Sequence, residues 1–283
     1  MQPLRVLGSV NLDVVANVSH LPAPGETVGG ATLAFHPGGK GANQALAAAR
    51  MGADVVFTAA VGDDAEAGLA TPLLAAEPRI KLDLSVAELP TGIALIVVDG
   101  SGENQIVVAP GANASLGPDA VRLPTSGPLL CQLEVPIETV AAAFGAASGP
   151  RILNAAPVVA GAAALLAQTD VLIVNEVERA AFADHLVRFS GLVVTTLGSR
   201  GATVEERGRT LASALPPAVD PIDTVGAGDA FCGTFAAHFE RGSSLDRVLE
   251  LAVTAGALAT ETAGAQPSLP TLDDVEARCP SRS

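Results

Sequence analysis

The amino-acid sequence predicts a doubly wound α/β fold, in which helices cover both faces of a mostly parallel sheet. Short β-branched segments, such as DVVFTA (54–59) and DVLIVN (170–175), alternate with alanine-rich segments of helical length. Apolar strands separated by helices of roughly ten residues are typical of βαβ units around a buried parallel sheet. The chain has 283 residues, 49% of them hydrophobic, which is enough to bury one large core.

The predicted elements follow one another along most of the chain. The apolar segments predict strands at 5–9, 54–59, 92–98, 128–133, 151–154, 170–175 and 191–196. The alanine-rich segments between and after them predict helices at 42–51, 136–147, 160–167, 176–184 and 230–239. We expect one domain that spans residues 1–283, because no segment has the length and composition of an interdomain linker.

Two regions depart from this alternation and predict a small second sheet. VVANVSHL (14–21) and VGGATLAF (28–35) are consecutive strand-like segments with no helix between them. The segment 92–111 contains a second pair of such strands around a plausible hairpin turn, GSGEN. We therefore expect a β-sheet lid, formed by about 14–35 and 91–110, that projects from the core.

Charge and cysteine content exclude several classes of protein. The net charge is −14, and no cluster of lysine and arginine could line a nucleic-acid backbone or an anionic membrane surface. The three cysteines, Cys131, Cys232 and Cys279, are too few and too widely spaced for a disulfide framework or a zinc site. No signal-peptide pattern and no apolar window of about 18 residues is present. We expect a cytoplasmic protein that binds neither nucleic acid nor membrane.

The first candidate site is GSVNLD (8–13), where a predicted strand ends in glycine and is followed by Asn11 and Asp13. Ligands of parallel sheets bind beyond the carboxyl ends of the strands, so these two side chains could face a polyhydroxyl ligand. A polar turn without a ligand would have the same sequence.

The second candidate site is HPGGKGANQALAAARMG (36–52). Its glycines allow the backbone to approach a ligand, and Lys40 and Asn43 supply donors at the start of a predicted helix. The spacing of a P-loop, GxxxxGK[ST], is absent. A simple helix start remains the alternative.

The third candidate site joins VNEVE (174–178) with TTLGSRG (195–201). Asn175 and Glu178 lie on one face at the start of a helix, where a carboxylate could hold a water of Mg²⁺. The alternative is a capping box with Glu178 as its acid. LGSRG is either a glycine turn or a backbone surface for the phosphates and ribose of a nucleotide, and Arg200 favours phosphate.

The fourth candidate site is DTVGAGDAFCG (223–233). Its GAG segment directly precedes a predicted helix, so the amides of residues 226–228 point outward at the positive end of a helix dipole. Asp229 lies in the first turn of that helix. A carboxylate beside an anion site suits phosphoryl transfer, in which it takes a proton from the attacking hydroxyl. A first-turn aspartate that only stabilises the helix is the alternative.

In this order the four segments resemble the PfkB carbohydrate kinases, and within them the kinases of D-ribose. GGKGAN (38–43) and DTVGAGDAF (223–231) are similar to the two family signatures, and LPAPGETV, VGDD, APGAN, QLEVP and GAQPS are similar to further motifs between residues 6 and about 270. The resemblance implies a Rossmann-like core with a β-sheet lid, ATP as phosphoryl donor and transfer to the O5 hydroxyl of D-ribose. It identifies the chain as an ATP-dependent sugar kinase.

The resemblance also assigns roles to individual residues. Asp229 would be the catalytic base, and the amides of Gly226, Ala227 and Gly228 would form an anion hole for the γ-phosphoryl group. The residues that match sugar contacts are Asn11, Asp13, Gly39, Lys40, Asn43, Glu134 and Asp229. The residues that match nucleotide contacts are Asn175, Thr196, Leu197, Gly198, Ser199, Arg200, Gly201 and Gly228.

Two metal ions are implied by the same resemblance. Glu178 would arrange the water shell of Mg²⁺. An activating K⁺ ion would lie near the anion hole, at the positions that match the family's monovalent-cation site: Asp223, Val225, Ala259, Thr262, Gly264 and Ser268. The resemblance further suggests a homodimer that forms through the lids, for which the apolar strands 92–98 and 104–109 are suited.

The sequence departs from the family pattern in two places. NAAPV (154–158) stands where the family often has NPAP, and the segment between Glu178 and Thr195 is short. Both departures concern the nucleotide side rather than the chemistry. A fructokinase, a nucleoside kinase and a catalytically silent sugar or nucleotide sensor on the same scaffold are the alternatives, and an intact Asp229 argues against the sensor.

Overall fold

The computed structural model describes residues 2–121, 126–239 and 243–279. Within these ranges nine strands form a large sheet in the order β13-β12-β11-β10-β9-β8-β1-β4-β5. In this order, adjacent strands from β11 through to β5 pair parallel, whereas β12 pairs antiparallel with both β11 and β13. The strands are β1 (Leu4–Leu7), β4 (Val55–Gly62), β5 (Ile80–Ala87), β8 (Leu129–Cys131), β9 (Arg151–Asn154), β10 (Val171–Asn175), β11 (Leu192–Thr196), β12 (Ala202–Glu206) and β13 (Arg209–Ala214).

Consecutive residues of the central strands point into two separate apolar cores. In β10, Val171 and Ile173 belong to one core, and Leu172 and Val174 belong to the other. All four side chains are at most 1% exposed. Because successive side chains of a strand face opposite sides, a strand that is covered on both sides must be apolar throughout. The uninterrupted apolar segments in the sequence have this cause, and the predicted doubly wound fold is confirmed.

Helices cover the two faces of this sheet. The first core contains residues of α1, α7 and α8, and the second contains residues of α4 and of the 3-10 segment Ala162–Gln168. The helices are α1 (Lys40–Arg50), α2 (Ala65–Ala70), α3 (Pro72–Ala76), α4 (Ile137–Ala146), α5 (Glu176–Ala181), α6 (Ala183–Leu186), α7 (Ala227–His238), α8 (Leu245–Ala259), α9 (Ala265–Ser268) and α10 (Leu272–Arg278). None of the helices within the described ranges combines the length and hydrophobicity that a bilayer crossing requires.

Two predicted helices differ in detail from the observed ones. The segment 160–167, predicted as an α-helix, contains a 3-10 helix at Ala162–Gln168 that follows Gly161 in a left-handed conformation. The predicted helix 176–184 is divided into α5 and α6, which meet at Phe182. Phe182 is 3% exposed and belongs to the second core, so its burial accompanies the change of direction.

A four-stranded sheet, the lid, is separate from the large sheet. It consists of β2 (Asn11–Asn17), β3 (Thr32–Gly38), β6 (Gly92–Val98) and β7 (Asn104–Ala109), in the order β3-β2-β6-β7. The sequence predicted a lid at about 14–35 and 91–110. The strand β2 begins three residues before the first of these limits, and therefore Asn11 and Asp13 lie on a lid strand and not in a turn.

Candidate active site

Asp229 is a buried carboxylate at the start of α7. It lies in the first turn of α7 and is 8% exposed. Asn43 Nδ2 donates a hydrogen bond to its Oδ2 at 2.9 Å, and Gln44 Nε2 donates to its Oδ1 at 2.8 Å. Both oxygens therefore accept a side-chain amide N–H from consecutive residues of α1, which fixes the plane of the carboxylate.

The start of α7 presents backbone amides beside this carboxylate, and among them Ala227 N donates to the carbonyl of Thr224 at 3.3 Å. Gly226 is the N-cap residue, with φ 83° in the left-handed region, and no side chain within the described residues caps the helix. A Cβ at Gly226 would be 2.8 Å from Cα of Ala265, so this turn is packed against α9 and only glycine fits. The first amides of a helix lack intrahelical partners, and together with the helix dipole they attract an anion.

Glu134 and Lys40 form the opposite wall of the site. Glu134 Oε2 accepts hydrogen bonds from Ser9 Oγ at 2.6 Å and from the backbone N–H of Lys40 at 3.0 Å. Gly39, with φ 90°, precedes Lys40, and a Cβ there would be 2.7 Å from the backbone nitrogen of Asn11. The glycine therefore lets the start of α1 lie directly against the first residue of the lid.

Asn11 and Asp13 complete this group from the lid strand β2. Asn113 Nδ2 donates to Asn11 Oδ1 at 2.8 Å and to the carbonyl of Val10 at 3.1 Å, and Asn113 Oδ1 accepts from Val10 N at 2.9 Å. Asn113 is 1% exposed and follows β7, so it joins the two places where the chain passes between core and lid. All seven residues that the resemblance assigns to the sugar thus meet in one place.

The carboxylates of this site repel one another. Burial, together with Glu134 and Asp229, raises the pKa of Asp13 from its ordinary value of 3.8 to about 7, against the opposing effect of Lys40. Burial alone would lower the pKa of Lys40, but the carboxylates of Asp229 and Glu134 outweigh it and raise that pKa. The site therefore holds Lys40 as a cation and leaves Asp13 close to its titration point.

The residues assigned to the nucleotide lie at the carboxyl ends of two adjacent parallel strands. Asn175 ends β10, Thr196 ends β11, and the two are paired in register. The segment after Thr196 forms a 3-10 turn at Gly198–Arg200, which the hydrogen bond from Leu197 N to the carbonyl of Gly201 closes at 2.8 Å. Arg200 Nη2 forms an exposed ion pair with Glu176 Oε2 at 2.6 Å.

Glu178 takes part in a capping box at the start of α5. Its Oε2 accepts from Asn175 N at 2.8 Å, and Asn175 Oδ1 accepts from Glu178 N at 2.8 Å. The structure therefore contains the capping box that the sequence allowed for this pair. Burial raises the pKa of Glu178, which the hydrogen bond from Asn175 and the charge of Lys40 oppose. Because Lys40 favours its ionised form, Glu178 can accept a hydrogen bond from a water of Mg²⁺.

The residues assigned to the monovalent cation lie on two loops or at the helix ends next to them. One loop precedes α7, the other connects α8 to α9, and Asp223 joins the two. Its Oδ1 accepts from Val225 N and its Oδ2 from Gly264 N, both at 2.9 Å. The carbonyl of Thr260, the residue after Ala259 at the end of α8, accepts from Asp223 N at 3.1 Å. Ser268 Oγ donates to the carbonyl of Ala265 at 2.9 Å, and Thr262 lies in the connection between α8 and α9. Oxygen donors on two tethered loops beside the start of α7 suit a K⁺ ion.

Comparison with known proteins decides the family. The family model described as "pfkB family carbohydrate kinase" matches residues 1–272. The chain belongs to the pfkB family of carbohydrate kinases. It is 35% identical to a ribokinase of Haemophilus influenzae, over 95% of both chains.

Solved structures of ribokinases share the fold of this pfkB kinase. A ribokinase from Thermotoga maritima superposes with a TM-score of 0.89 at 31% identity and covers 98% of this chain and 99% of its own. The Arabidopsis thaliana ribokinase complexed with ribose and ATP superposes with a TM-score of 0.82 at 29% identity and covers 99% of both chains. The similarity to sugar kinases of this family therefore extends over the core and the lid.

The resemblance assigns no role to several polar residues of this pfkB kinase, although most of them lie in the segments that carry it. Gln44, Gln132 and Asn154 form a buried chain of amides behind Asp229, and Ser9 and Asn113 hold Glu134 and Asn11. A buried polar group needs a hydrogen-bond partner, so an isolated glutamine after an apolar strand, as in LLCQL, is a usable signal. Its partner cannot be known until the strands are placed side by side.

Proposed function

We propose that this kinase transfers the γ-phosphoryl group of ATP to the O5 hydroxyl of D-ribose and releases D-ribose 5-phosphate and ADP. The observation that carries the proposal is the position of Asp229, beside the uncapped start of α7 and within one group of seven sugar-contact candidates. Family membership and the ribokinase names of the most similar relatives support the sugar and the donor.

In the proposed reaction Asp229 accepts the proton of the O5 hydroxyl as the oxygen attacks the γ-phosphorus. The bond from that phosphorus to the bridging oxygen of ADP breaks, and ADP leaves with the bonding electron pair. The amides of Gly226, Ala227 and Gly228 stabilise the negative charge of the moving group, because they are oriented before the reaction and lie at the positive end of α7. A base in this position contributes about 10²- to 10⁴-fold to the rate.

The remaining sugar contacts fix the hydroxyls of ribose. Asn11 and Asp13 approach the sugar from the lid, and Gly39, Lys40, Asn43 and Glu134 approach it from the core. The nucleotide contacts Asn175, Thr196–Gly201 and the amide of Gly228. Arg200 would leave its ion pair with Glu176 and bind a phosphate of the nucleotide. Glu178 would hold Mg²⁺ through water, and the ion would supply positive charge to the phosphates. The Asp223 loops would hold K⁺ beside the anion hole.

Homodimerisation through the lid is part of the proposal. One face of the lid exposes large apolar side chains that are each between 49% and 65% exposed: Leu33, Phe35, Leu95 and Val107. Ile106 and Val108, which are 53% and 48% exposed, lie on the other face. An exposed apolar surface of this extent is typical of a protein interface.

A coupled assay of ADP release tests the proposed reaction. Ribose, deoxyribose, fructose and nucleosides are compared with ATP and Mg²⁺, and we expect the highest kcat/KM for ribose. Asp229→Asn should lower kcat about 10²- to 10⁴-fold. Asp184→Asn, at an exposed position of α6, serves as the matched control and should leave kcat unchanged.

Two results would contradict the proposal in different ways. Equal kcat/KM for all sugars would remove the assignment of ribose and leave the kinase. Equal activity of the wild type and Asp229→Asn would remove Asp229 as the base.

A further inference from the structure

We propose that Gln44 is a positioning residue for Asp229, and that Gln132 and Asn154 hold Gln44 in the orientation that this role requires. The inference rests on the proposed function of Asp229 as the base. Gln44 Nε2 donates to Asp229 Oδ1 at 2.8 Å and to Asn154 Oδ1 at 3.0 Å. Gln44 and Gln132 are fully buried, and Asn154 is 7% exposed. We call these three side chains the amide relay.

The orientation of the amides in the amide relay is set at one end by a group that can only accept hydrogen bonds. The backbone carbonyl of Ile173 can only accept, and Asn154 Nδ2 donates to it at 3.3 Å. The nitrogen of the Asn154 amide is thereby engaged, and its Oδ1 is left to face Gln44. That oxygen in turn requires a donor, so Gln44 must present its nitrogen on this side.

The other end of the Gln44 amide is held by Gln132. Gln132 Nε2 donates to Gln44 Oε1 at 2.6 Å. A rotation of the Gln44 amide by half a turn would point Oε1 at the carboxylate of Asp229, and would also break the hydrogen bonds with Asn154 and Gln132. Buried polar groups without partners are costly, so the amide relay disfavours this rotation.

The backbone provides the space that the amide relay needs. Gln132 directly follows β8, Asn154 ends β9, and Gln44 is the fifth residue of α1. A Cβ at Gly8 would overlap Oε1 of Gln132, so glycine is required where β1 ends beside β8. The amide relay is thus built across neighbouring strands and is separate from the residues assigned to the sugar.

The amide relay and Asn43 together fix the orientation of the Asp229 carboxylate. With one oxygen bound by Gln44 and the other by Asn43, the carboxylate of Asp229 cannot rotate about its last bond without losing both hydrogen bonds. The oxygen that accepts the proton of the sugar hydroxyl therefore keeps one direction through the reaction. Such alignment affects the chemical step more than the binding of the sugar.

A double-mutant cycle with Gln44→Met and Gln132→Met tests the inference. Each single variant should lower kcat about tenfold and leave the KM for ribose and for ATP within about twofold. The double variant should be about as slow as Gln44→Met, because the amide relay is already broken there. Additive losses would overturn the inference.

Gln132→Glu separates orientation from packing. Glutamate has the shape of glutamine but, once ionised, has only acceptors, so it would attract the nitrogen of Gln44 away from Asp229. Because burial raises the pKa of a carboxyl at this position, kcat is measured across a pH series. We expect the kcat of Gln132→Glu to fall below that of Gln132→Met as pH rises, whereas a packing role would give the reverse order at every pH. Wild-type kcat in both variants, or KM values that rise in proportion to the loss of kcat, would overturn the inference while the proposed function stands. A wild type without turnover overturns both.

Discussion

Gly233 of α7 lies so close to α1 that a Cβ at this position would be 2.5 Å from the carbonyl oxygen of Gln44 and 2.6 Å from Cβ of Ala47. Gly233 follows Asp229 by one helical turn, on the same face of α7. The close crossing of the two helices therefore sets the distance between Asp229 and the amides of Asn43 and Gln44.

Gly233→Ala should separate the two helices and affect both stability and catalysis. We expect the free energy of unfolding to fall by about 1 to 3 kcal/mol, because the added methyl group has no space. We also expect a lower kcat, because the hydrogen bonds to Asp229 lengthen. Urea unfolding and the ADP-release assay measure the two effects. In Gly68→Ala, the control in α2, the added Cβ has open space around it, and the variant should be no less stable than the wild type. Wild-type stability and kcat in Gly233→Ala would contradict the prediction.

Asp13→Asn should stabilise the ligand-free protein at high pH. The folded protein raises the pKa of Asp13 from 3.8 to about 7, so between these values it binds a proton that the unfolded chain has released. Stability then falls as pH rises through this interval, and the full cost, at most about 4 kcal/mol, is present above the folded pKa. The substitution removes this cost, so Tm should rise at pH 8 and change little at pH 4. A Tm gain that is equal at both pH values, or a gain in the control Asp184→Asn, would contradict this explanation.

Asn113→Ala should weaken the connection between core and lid. It removes three hydrogen bonds and leaves the buried N–H and carbonyl of Val10 without their side-chain partner. We expect a loss of about 2 to 3 kcal/mol in the free energy of unfolding, and a higher KM for ribose because Asn11 loses its support. Asn104→Ala, at the exposed start of β7, is the control and should change stability by less than about 0.5 kcal/mol. Equal KM values for Asn113→Ala and the wild type would argue against a role in holding Asn11.

Asp223→Asn should reduce the response to monovalent cations. We expect faster turnover of the wild type in K⁺ than in Na⁺, and a smaller ratio of the two rates in the variant, because one negative charge is removed from the loops. The asparagine can accept from only one of Val225 N and Gly264 N, but the backbone hydrogen bonds from Ile222 N and Asp223 N to the carbonyl of Thr260 still join the loops. Turnover in KCl and NaCl at equal ionic strength measures the ratio. Identical wild-type rates in the two salts would remove the K⁺ site from the proposal.

Much of the fold follows from local sequence, and the exceptions have physical reasons. The apolar strands of the parallel sheet were predicted because burial on both faces leaves no polar positions in them. The antiparallel strands β12 and β13 were missed, since segments such as ATVEE alternate apolar and charged residues at an edge of the sheet. The helix α8 was also missed, although Ser244 caps it and its buried residues have helical spacing.

The candidate site likewise contains residues that the sequence identifies and residues that it does not. Asp229, Lys40 and Asn43 belong to glycine-rich segments that are recognisable in one chain. Gln132 and Asn154 lie in the segments QLEVP and NAAPV, but no role is assigned to them there, because their contacts depend on the order of β8, β9 and β10 in the sheet. Sequence therefore identifies the residues that meet the ligand more readily than those that hold them in place.

The carbonyl of Ile173, from which the amide relay takes its direction, belongs to the main chain. A side-chain donor or acceptor can be lost through a single nucleotide change, but a peptide carbonyl persists whichever residue occupies position 173. Divergence at this position is therefore limited by the volume that fits the core and not by polarity. The orientation of the base thus depends at one end on a backbone group that substitution does not remove. The three side chains of the amide relay, Gln44, Gln132 and Asn154, can each be lost by a single substitution.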